Sequence, residues 1–212
     1  MCHQISPLLI AELRAALENL QVEGRPRLPR RDPSTKVPDV FPGRQLPLFV
    51  VGEDGMLDVA EPVWGFDAPA GSRSRLVFNT RIETALSQAR SGSGLWAQPI
   101  TQGRCLIPVR AFYESWTISP PSRGAKVRFS MPGRRVFLLA GVCAQGRCSM
   151  VTTTPNASVG AVHSRMPLVL GPGESSIWLG PDYASLADRS AILLDAREEL
   201  AARTDDQASN GS

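Results

Sequence analysis

The sequence predicts an α+β fold in which mostly antiparallel β-sheets form a barrel-like core with flanking helices. The middle of the chain alternates apolar and polar residues in short runs separated by Gly and Pro, a pattern typical of antiparallel strands. The beginning of the chain carries apolar residues at helical spacing instead. The length of 212 residues, with 42% hydrophobic and 20% charged residues, suits a single globular domain. We expect this domain to span residues 2–200 and the tail, residues 201–212, to be disordered.

The first predicted helix covers residues 7–20. Ser6-Pro7 supplies a capping residue and a first-turn proline, and the apolar residues that follow at helical spacing are Leu9, Leu13, Ala16, Leu17 and Leu20. After Gly24, arginines and prolines alternate through residues 25–33, which predicts an exposed loop. The arginines of this loop serve either solubility or a rim that faces phosphate groups.

Strands dominate the middle of the chain, with a predicted hairpin from Leu48–Val51 through a turn at residues 53–55 into Leu57–Trp64. A short helix is predicted at Ile82–Arg90. The later strands are predicted at Cys105–Trp116, Val127–Met131, Val136–Ala144 and Cys148–Thr154. Gln145-Gly146 closes the clearest hairpin, between the last two of these strands.

The bulk properties exclude several classes of protein. A membrane helix needs about 20 consecutive apolar residues, and we expect neither such a span nor a secretion signal here, so the expected location is cytoplasmic. Four cysteines are too few for a disulfide scaffold, and without a CxxC pair they predict neither a zinc site nor another metal. Cys143 and Cys148 fall on opposite strands of the hairpin, but reduced thiols are expected. The net charge of +3 is compatible with a polyanionic partner without requiring one.

Cys2 is the first candidate for chemistry, because removal of Met1 would place a free α-amine and a thiol on one residue. At pH 7 an α-amine is about one-tenth unprotonated, against ~0.04% for a lysine. This amine could form an imine with an aldehyde, and the neighbouring thiol could then close a five-membered thiazolidine ring. An internal cysteine cannot do this. The alternative is that position 2 happens to be a cysteine and has no chemical function.

Three further segments contain polar residues next to predicted strands. Asn79 either orients a substrate or caps the following helix, and Arg81 either holds a phosphate or is simply exposed. Glu114 lies among aromatic residues, where burial would raise its pKa for proton transfer, unless it lies on the solvent face of its strand. His163 titrates near neutrality, although an isolated histidine is often structural.

Together and in this order, these segments resemble the SOS response-associated peptidase (SRAP) family. The family pattern has Cys at position 2, then Trp-Gly-Leu, Asn-Ala-Arg, Tyr-Glu-Trp and His-x-Arg-Met-Pro, and the resemblance runs from residue 2 to about residue 195. It implies an abasic-site processing protein of the DNA damage (SOS) response. Such a protein binds single-stranded DNA containing abasic sites and shields the lesion with a thiazolidine made by its N-terminal cysteine. The resemblance also implies that the protein associates with the nucleoid upon damage and needs no cofactor. We expect the protein to be a monomer.

The resemblance also implies residue roles. Cys2 is the nucleophile, Asn79 positions the sugar or the terminal amine, Glu114 transfers protons, and His163 assists opening of the deoxyribose ring. The DNA-binding residues that it implies are Arg81, Arg165 and Trp64.

The sequence departs from the family pattern at several places, including Ser115, which lengthens the Tyr-Glu-Trp motif by one residue. The usual Cys-Gly-Arg opening is Cys2-His3-Gln4 here, which removes a cation beside the nucleophile. The proline and second Trp that usually follow Trp-Gly-Leu are replaced by residues 67–70, Asp-Ala-Pro-Ala. Two alternatives therefore stay open: a thiol peptidase or self-processing peptidase that uses Cys2, and a module that binds single-stranded DNA without reacting.

Overall fold

A computed structural model of the chain describes residues 2–23, 37–117 and 125–199, with side chains of the first segment described to residue 19. The predicted arginine-rich loop and the predicted disordered tail lie outside these residues. The strands are β1 Gln4–Pro7, β2 Leu48–Val51, β3 Leu57–Ala60, β4 Val63–Trp64, β5 Phe66–Asp67, β6 Leu76–Val77, β7 Asn79–Arg81, β8 Arg104–Ser115, β9 Lys126–Ser130, β10 Phe137–Ala144, β11 Arg147–Thr153, β12 Met166–Pro167, β13 Val169–Leu170 and β14 Asp195–Glu199. The helices are α1 Ile10–Glu23, α2 Ile82–Ser91, α3 Ala97–Gln102, α4 Ala157–Gly160 and α5 Glu174–Leu179, with a 3₁₀ helix at Tyr183–Ala187.

The predicted α+β fold is confirmed. One large, mostly antiparallel sheet follows the strand order β12-β11-β10-β8-β2-β3, and further strands branch from this path. β8 is the longest strand and pairs with β10, β2, β1 and β9. Because the described strands branch at β8 and do not return to the start of the path, they do not close the barrel that the sequence suggested.

The sheet has an apolar cluster on each face. One cluster includes Cys2, Trp64, Cys105 and Phe112, and the other is centred on Trp178, Trp96 and neighbouring aliphatic side chains. β8 contributes to both, since Cys105 belongs to the first cluster and Leu106 to the second. This alternation is the period-two pattern of a strand that is buried on both faces.

The N-terminal helix begins later than predicted, at Ile10. Ser6 and Pro7 belong to β1, which pairs antiparallel with β8 and sets Ile5 opposite Phe112. At the start of the helix, the backbone N–H of Leu9 donates a hydrogen bond to the Glu12 carboxylate at 2.9 Å. Tertiary pairing with a long central strand thus outweighs the local helix-start signal.

The predicted strand Leu57–Trp64 is divided into β3 and β4 by Glu61-Pro62. Pro62 has no N–H to donate to a strand partner, and this interrupts the ladder. β4 then pairs in parallel with β11, which sets Trp64 beside Cys148. β7 also runs parallel to β11, with Asn79 beside Met150. These two parallel pairs bring the Trp64 and Asn79 segments next to each other.

Within the described ranges, no helix combines the length and apolar character needed to cross a membrane.

Candidate functional site

Cys2 lies two residues before β1, and its side chain is fully buried. Its thiol donates a long hydrogen bond of 3.5 Å to the Gln4 carbonyl. Burial raises the pKa of this thiol well above its ordinary value, and the nearby Glu114 carboxylate raises it further. The raised pKa favours the neutral form of the thiol.

Asn79, on strand β7, holds the main chain of Cys2 by a hydrogen bond. Its side-chain Nδ2 donates to the Cys2 carbonyl at 2.8 Å, across 77 residues of sequence. Asn79 is 7% exposed, and its Oδ1 has no hydrogen-bond partner among the residues that the structure describes. A buried amide oxygen without a partner is costly, so it offers an acceptor for an amine or a hydroxyl that enters the site.

Glu114 projects from β8 into the same region and is 1% exposed. Burial raises the pKa of its carboxyl from 4.5 to about 7. A carboxyl with a pKa near 7 can both accept and release a proton at neutral pH. The predicted burial of Glu114 is thus observed, and the alternative position on the solvent face of the strand does not occur.

His163 faces Glu114, with 4.0 Å between its Nε2 and the Glu114 Oε2. The His163 Nδ1 lies 3.0 Å from the Arg165 backbone nitrogen and 3.1 Å from the Arg165 carbonyl oxygen, so the backbone of Arg165 fixes the orientation of the ring. Burial lowers the pKa of His163, which favours the neutral form. The imidazole therefore presents its Nε2 toward the carboxylate side of the site.

The two predicted arginines differ in their surroundings. Arg81 is exposed, whereas the Arg165 side chain is 12% exposed and forms a fork with Glu83. The two Arg165–Glu83 contacts measure 2.6 Å and 3.0 Å, and Arg165 also donates to the Thr152 carbonyl at 2.9 Å. Both guanidinium groups lower the pKa of the Glu83 carboxyl, opposing its partial desolvation, so two positive charges surround one negative charge.

Trp64 is completely buried. Its indole N–H donates to the Phe78 carbonyl at 2.9 Å, and the two rings meet edge to face. The side chain presents no surface to solvent in this structure. Because Phe78 directly precedes Asn79, Trp64 supports the strand segment that holds Cys2.

Two residues of the site were missed by sequence reasoning. Glu83 lies within the polar segment of residues 78–84, but its importance depends on the ion pair with Arg165. Lys126 lies on β9, and its Nζ donates to the Gln4 Oε1 at 2.8 Å, while the Gln4 amide donates to Asp39 at 2.7 Å. Lys126 thus supplies a cation beside the N-terminal strand. In the family pattern an Arg supplies the positive charge there, and in this chain that position is Gln4. No local signal identifies either residue, because each acts through a distant partner.

The four predicted catalytic residues come from four distant segments and surround one buried position. The family model for "SOS response associated peptidase (SRAP)" matches residues 2–207. The chain belongs to the SRAP family. Among the described residues of this SRAP chain, no group of three or more His, Cys, Asp and Glu side chains is arranged to hold a metal ion.

Curated relatives of this SRAP chain include two proteins from Bacillus subtilis. It is 30% identical over 129 residues to the abasic site processing protein YoqW, which covers 57% of this chain and 54% of YoqW. It is 28% identical over 142 residues to the abasic site processing protein YoaM, covering 63% of this chain and 59% of YoaM. The chain therefore aligns with little more than half the length of these relatives.

Solved structures resemble this SRAP chain over nearly its whole length. A phage-related protein from Bordetella bronchiseptica has a TM-score of 0.61 and 20% identity, covering 93% of this chain and 94% of its own. A protein from Bacteroides thetaiotaomicron has a TM-score of 0.62 and 18% identity, with 93% and 91% coverage. At this identity the likeness shows the fold.

Proposed function

We propose that this SRAP protein processes abasic sites in single-stranded DNA as part of the DNA damage response, by forming a thiazolidine crosslink through Cys2. The observation that carries the proposal is the convergence of Asn79, Glu114 and His163 on Cys2 in one buried site. The names of the Bacillus subtilis relatives, which describe abasic site processing, support the same activity.

The chemistry begins with the α-amine of Cys2, freed by removal of Met1. The amine attacks the C1′ aldehyde of the opened deoxyribose, and the resulting carbinolamine loses water to give an imine. The thiol then adds to the imine carbon while its proton passes to the nitrogen, which closes the five-membered ring. No oxidant or metal is needed, because each step moves only protons and bonding pairs.

The surrounding residues fit these steps. Glu114, with a pKa near 7, accepts a proton from the amine and returns one to the departing hydroxyl. His163, with its Nε2 directed toward Glu114, is suited to assist opening of the sugar ring, and the Oδ1 of Asn79 is suited to orient the amine. The high pKa of the Cys2 thiol suits a thiol that reacts second, after the imine has formed. It disfavours the alternative thiol peptidase, which needs a thiolate.

We further propose that Arg81 and Arg165 contact phosphates that flank the lesion, with Lys126 contributing positive charge beside Cys2. Arg165 reaches a phosphate by exchanging part of its fork with Glu83. Trp64 acts on DNA binding indirectly, through the segment that carries Phe78 and Asn79.

Cys2 variants test the mechanism with an oligonucleotide that contains one abasic site. Mature wild-type protein is expected to give an adduct that survives denaturation. Cys2→Ala, shown by intact mass to have lost Met1, keeps the α-amine and should give an adduct only when borohydride reduces the imine. A protein with an uncleaved N-terminal tag should give neither adduct.

The control is an oligonucleotide with a tetrahydrofuran in place of the abasic site, which lacks the aldehyde. A stable adduct from protein whose tag is still attached by mass spectrometry would rule out the thiazolidine mechanism. Binding without any adduct from the mature wild type would favour the non-reactive module.

A further inference from the structure

Three free thiols lie close together outside the Cys2 site, on three neighbouring strands. Cys105 is near the start of β8, Cys143 near the end of β10 and Cys148 near the start of β11. Cys143 lies directly opposite Cys148, and Cys105 lies opposite Gly141. Gly141 and Cys143 are two residues apart on one strand, so all three thiols project from the same face of the sheet.

Gly141 makes room for this cluster. A Cβ atom at this position would lie 2.7 Å from the Cys105 Sγ, which is closer than two such atoms can approach. The Cys105 thiol therefore occupies the space above Gly141 and points along the strand toward Cys143.

The pairing geometry of Cys143 and Cys148 suits a disulfide bridge. A two-residue turn makes Ala144 and Arg147 the hydrogen-bonded pair that closes the hairpin, so the next pair, Cys143 and Cys148, does not hydrogen-bond across the strands. Accordingly, the Cys143 N–H donates to the Gly103 carbonyl, and the Cys148 carbonyl accepts from the Gly65 N–H. In such pairs the Cα atoms are about 4.5 Å apart, inside the range of about 4.4–6.8 Å that a disulfide spans.

The three thiols differ in access and in acidity. Cys143 is half-buried and lines a cleft of about 310 Å³ together with Gln102 and Arg104, whereas Cys105 and Cys148 are fully buried. Hydrogen bonds from Cys105 and Cys148 hold the pKa of the Cys143 thiol well below its ordinary value. The pKa values of Cys105 and Cys148 are correspondingly raised. The least buried of the three cysteines thus also has the most acidic thiol, and the thiolate is the nucleophilic form of cysteine.

We propose that Cys143 and Cys148 form a thiol pair that a hydroperoxide oxidises to a disulfide, with Cys143 as the attacking and Cys148 as the resolving residue. The Cys143 thiolate attacks one peroxide oxygen and breaks the O–O bond, giving a sulfenic acid and an alkoxide or hydroxide that takes up a proton. The Cys148 thiol then attacks the Cys143 sulfur and displaces the sulfenic oxygen as water. Two electrons pass from the two thiols to the peroxide, which the oxidising medium supplies.

The remaining thiols are unsuited to the same reaction. Cys2 is buried with a raised pKa, and it lies in another part of the core cluster. Cys105 is diagonal to Cys143, since it faces Gly141, and diagonal neighbours on adjacent strands are farther apart than direct partners. The site therefore combines one attacking thiol with one correctly placed partner, independently of the chemistry at Cys2.

Peptide mapping of the full-length protein tests the proposal. Reduced protein is treated with one equivalent of hydrogen peroxide, and the expected product is a Cys143–Cys148 bridge detected by mass spectrometry without reduction. In Cys148→Ser the sulfenic acid at Cys143 should persist and be captured by dimedone. Cys2→Ser should form the bridge at the wild-type rate. Cys105→Ser should form the same bridge more slowly, because Cys143 loses one of its two flanking hydrogen bonds.

A second measurement uses only the wild type, so it does not depend on the folding of any variant. Brief iodoacetamide treatment at mildly acidic pH should label Cys143 well before the other three cysteines, and urea should abolish this selectivity. Preferential labelling of another cysteine, or a peroxide-induced bridge between a different pair, would overturn the assignment.

Discussion

Glu114 is ionisable and buried in the same core as the apolar side chains around Cys2, so its protonation is coupled to stability. Its folded-state pKa of about 7 lies above the ordinary 4.5. The folded protein therefore binds this proton more tightly than the unfolded chain does. The resulting stability is fully present below the unfolded pKa and is lost as pH rises through the folded pKa.

We expect Glu114→Gln to remove this pH dependence. The free energy of unfolding of the wild type, relative to the variant, should fall by roughly 3 kcal/mol between about pH 4 and pH 8. Urea unfolding of both proteins across this range measures the difference. Parallel stability curves would mean that the carboxyl titrates at its ordinary pKa, and its role in proton transfer would then lose its support.

Two arginines and one glutamate form a charge cluster beside the site, and its members should change DNA binding in opposite directions. Arg81→Ala and Arg165→Ala should each flatten the salt dependence of single-strand binding by about 0.7 in the log-log slope, the contribution of one phosphate contact. Glu83→Gln removes the negative charge that both arginines face, and should tighten binding by about 1 kcal/mol, roughly five-fold.

The matched control for Glu83→Gln is Glu53→Gln, which removes the same charge from the exposed turn between β2 and β3. Fluorescence anisotropy over a salt series measures the slopes. Unchanged slopes in both arginine variants would remove Arg81 and Arg165 from the DNA-binding proposal.

At the scale of elements, local sequence signals predicted the type of secondary structure better than they predicted the strand partner. Helix α2 and the hairpin β10–β11 follow from periodicity and turn residues within a few positions. The entry of Ser6 and Pro7 into β1, however, depends on β8, which lies about a hundred residues away. The same reason applies to the site. The motif residues could be recognised by type, but the Glu83–Arg165 fork and the Lys126–Gln4 contact join residues that are 82 and 122 positions apart in the chain.

The turn of the β10–β11 hairpin contains one residue in an unfavourable conformation. Gln145 has φ 51° and Gly146 has φ 71°, as a two-residue turn between antiparallel strands requires. Asn tolerates positive φ better than Gln, so Gln145→Asn should stabilise the protein by about 0.5 kcal/mol. Gly146→Ala should destabilise it by about 1 kcal/mol, because alanine disfavours the positive φ at this position. A Cβ there meets no atom within 4 Å, so no steric clash adds to this penalty.

Gly160→Ala is the control for this pair of substitutions. A Cβ at Gly160 also meets nothing within 4 Å, but its φ is not in the left-handed region, and it ends helix α4. The same Gly-to-Ala change should therefore stabilise the protein there. Thermal unfolding of the three variants compares them, and equal signs for Gly146→Ala and Gly160→Ala would contradict the turn argument.

Over the whole molecule, the candidate site is part of one of the two cores rather than an addition to the surface. Cys2 and Trp64 belong to the same apolar cluster, while Trp96 belongs to the cluster on the opposite face of the sheet. Packing on the first face should therefore affect both stability and chemistry. Packing on the second face should affect stability with little effect on the chemistry.

Trp64→Phe and Trp96→Phe separate these effects. Trp64→Phe deletes the hydrogen bond to the Phe78 carbonyl, so it should cost about 1–3 kcal/mol of stability and slow single-turnover crosslinking, because Asn79 follows Phe78. Trp96→Phe should lower stability while leaving the crosslinking rate near that of the wild type. The salt slope of DNA binding should be unchanged in both. Weaker DNA binding by Trp64→Phe at an unchanged salt slope and unchanged stability would instead mean that the indole leaves the core and stacks on DNA directly.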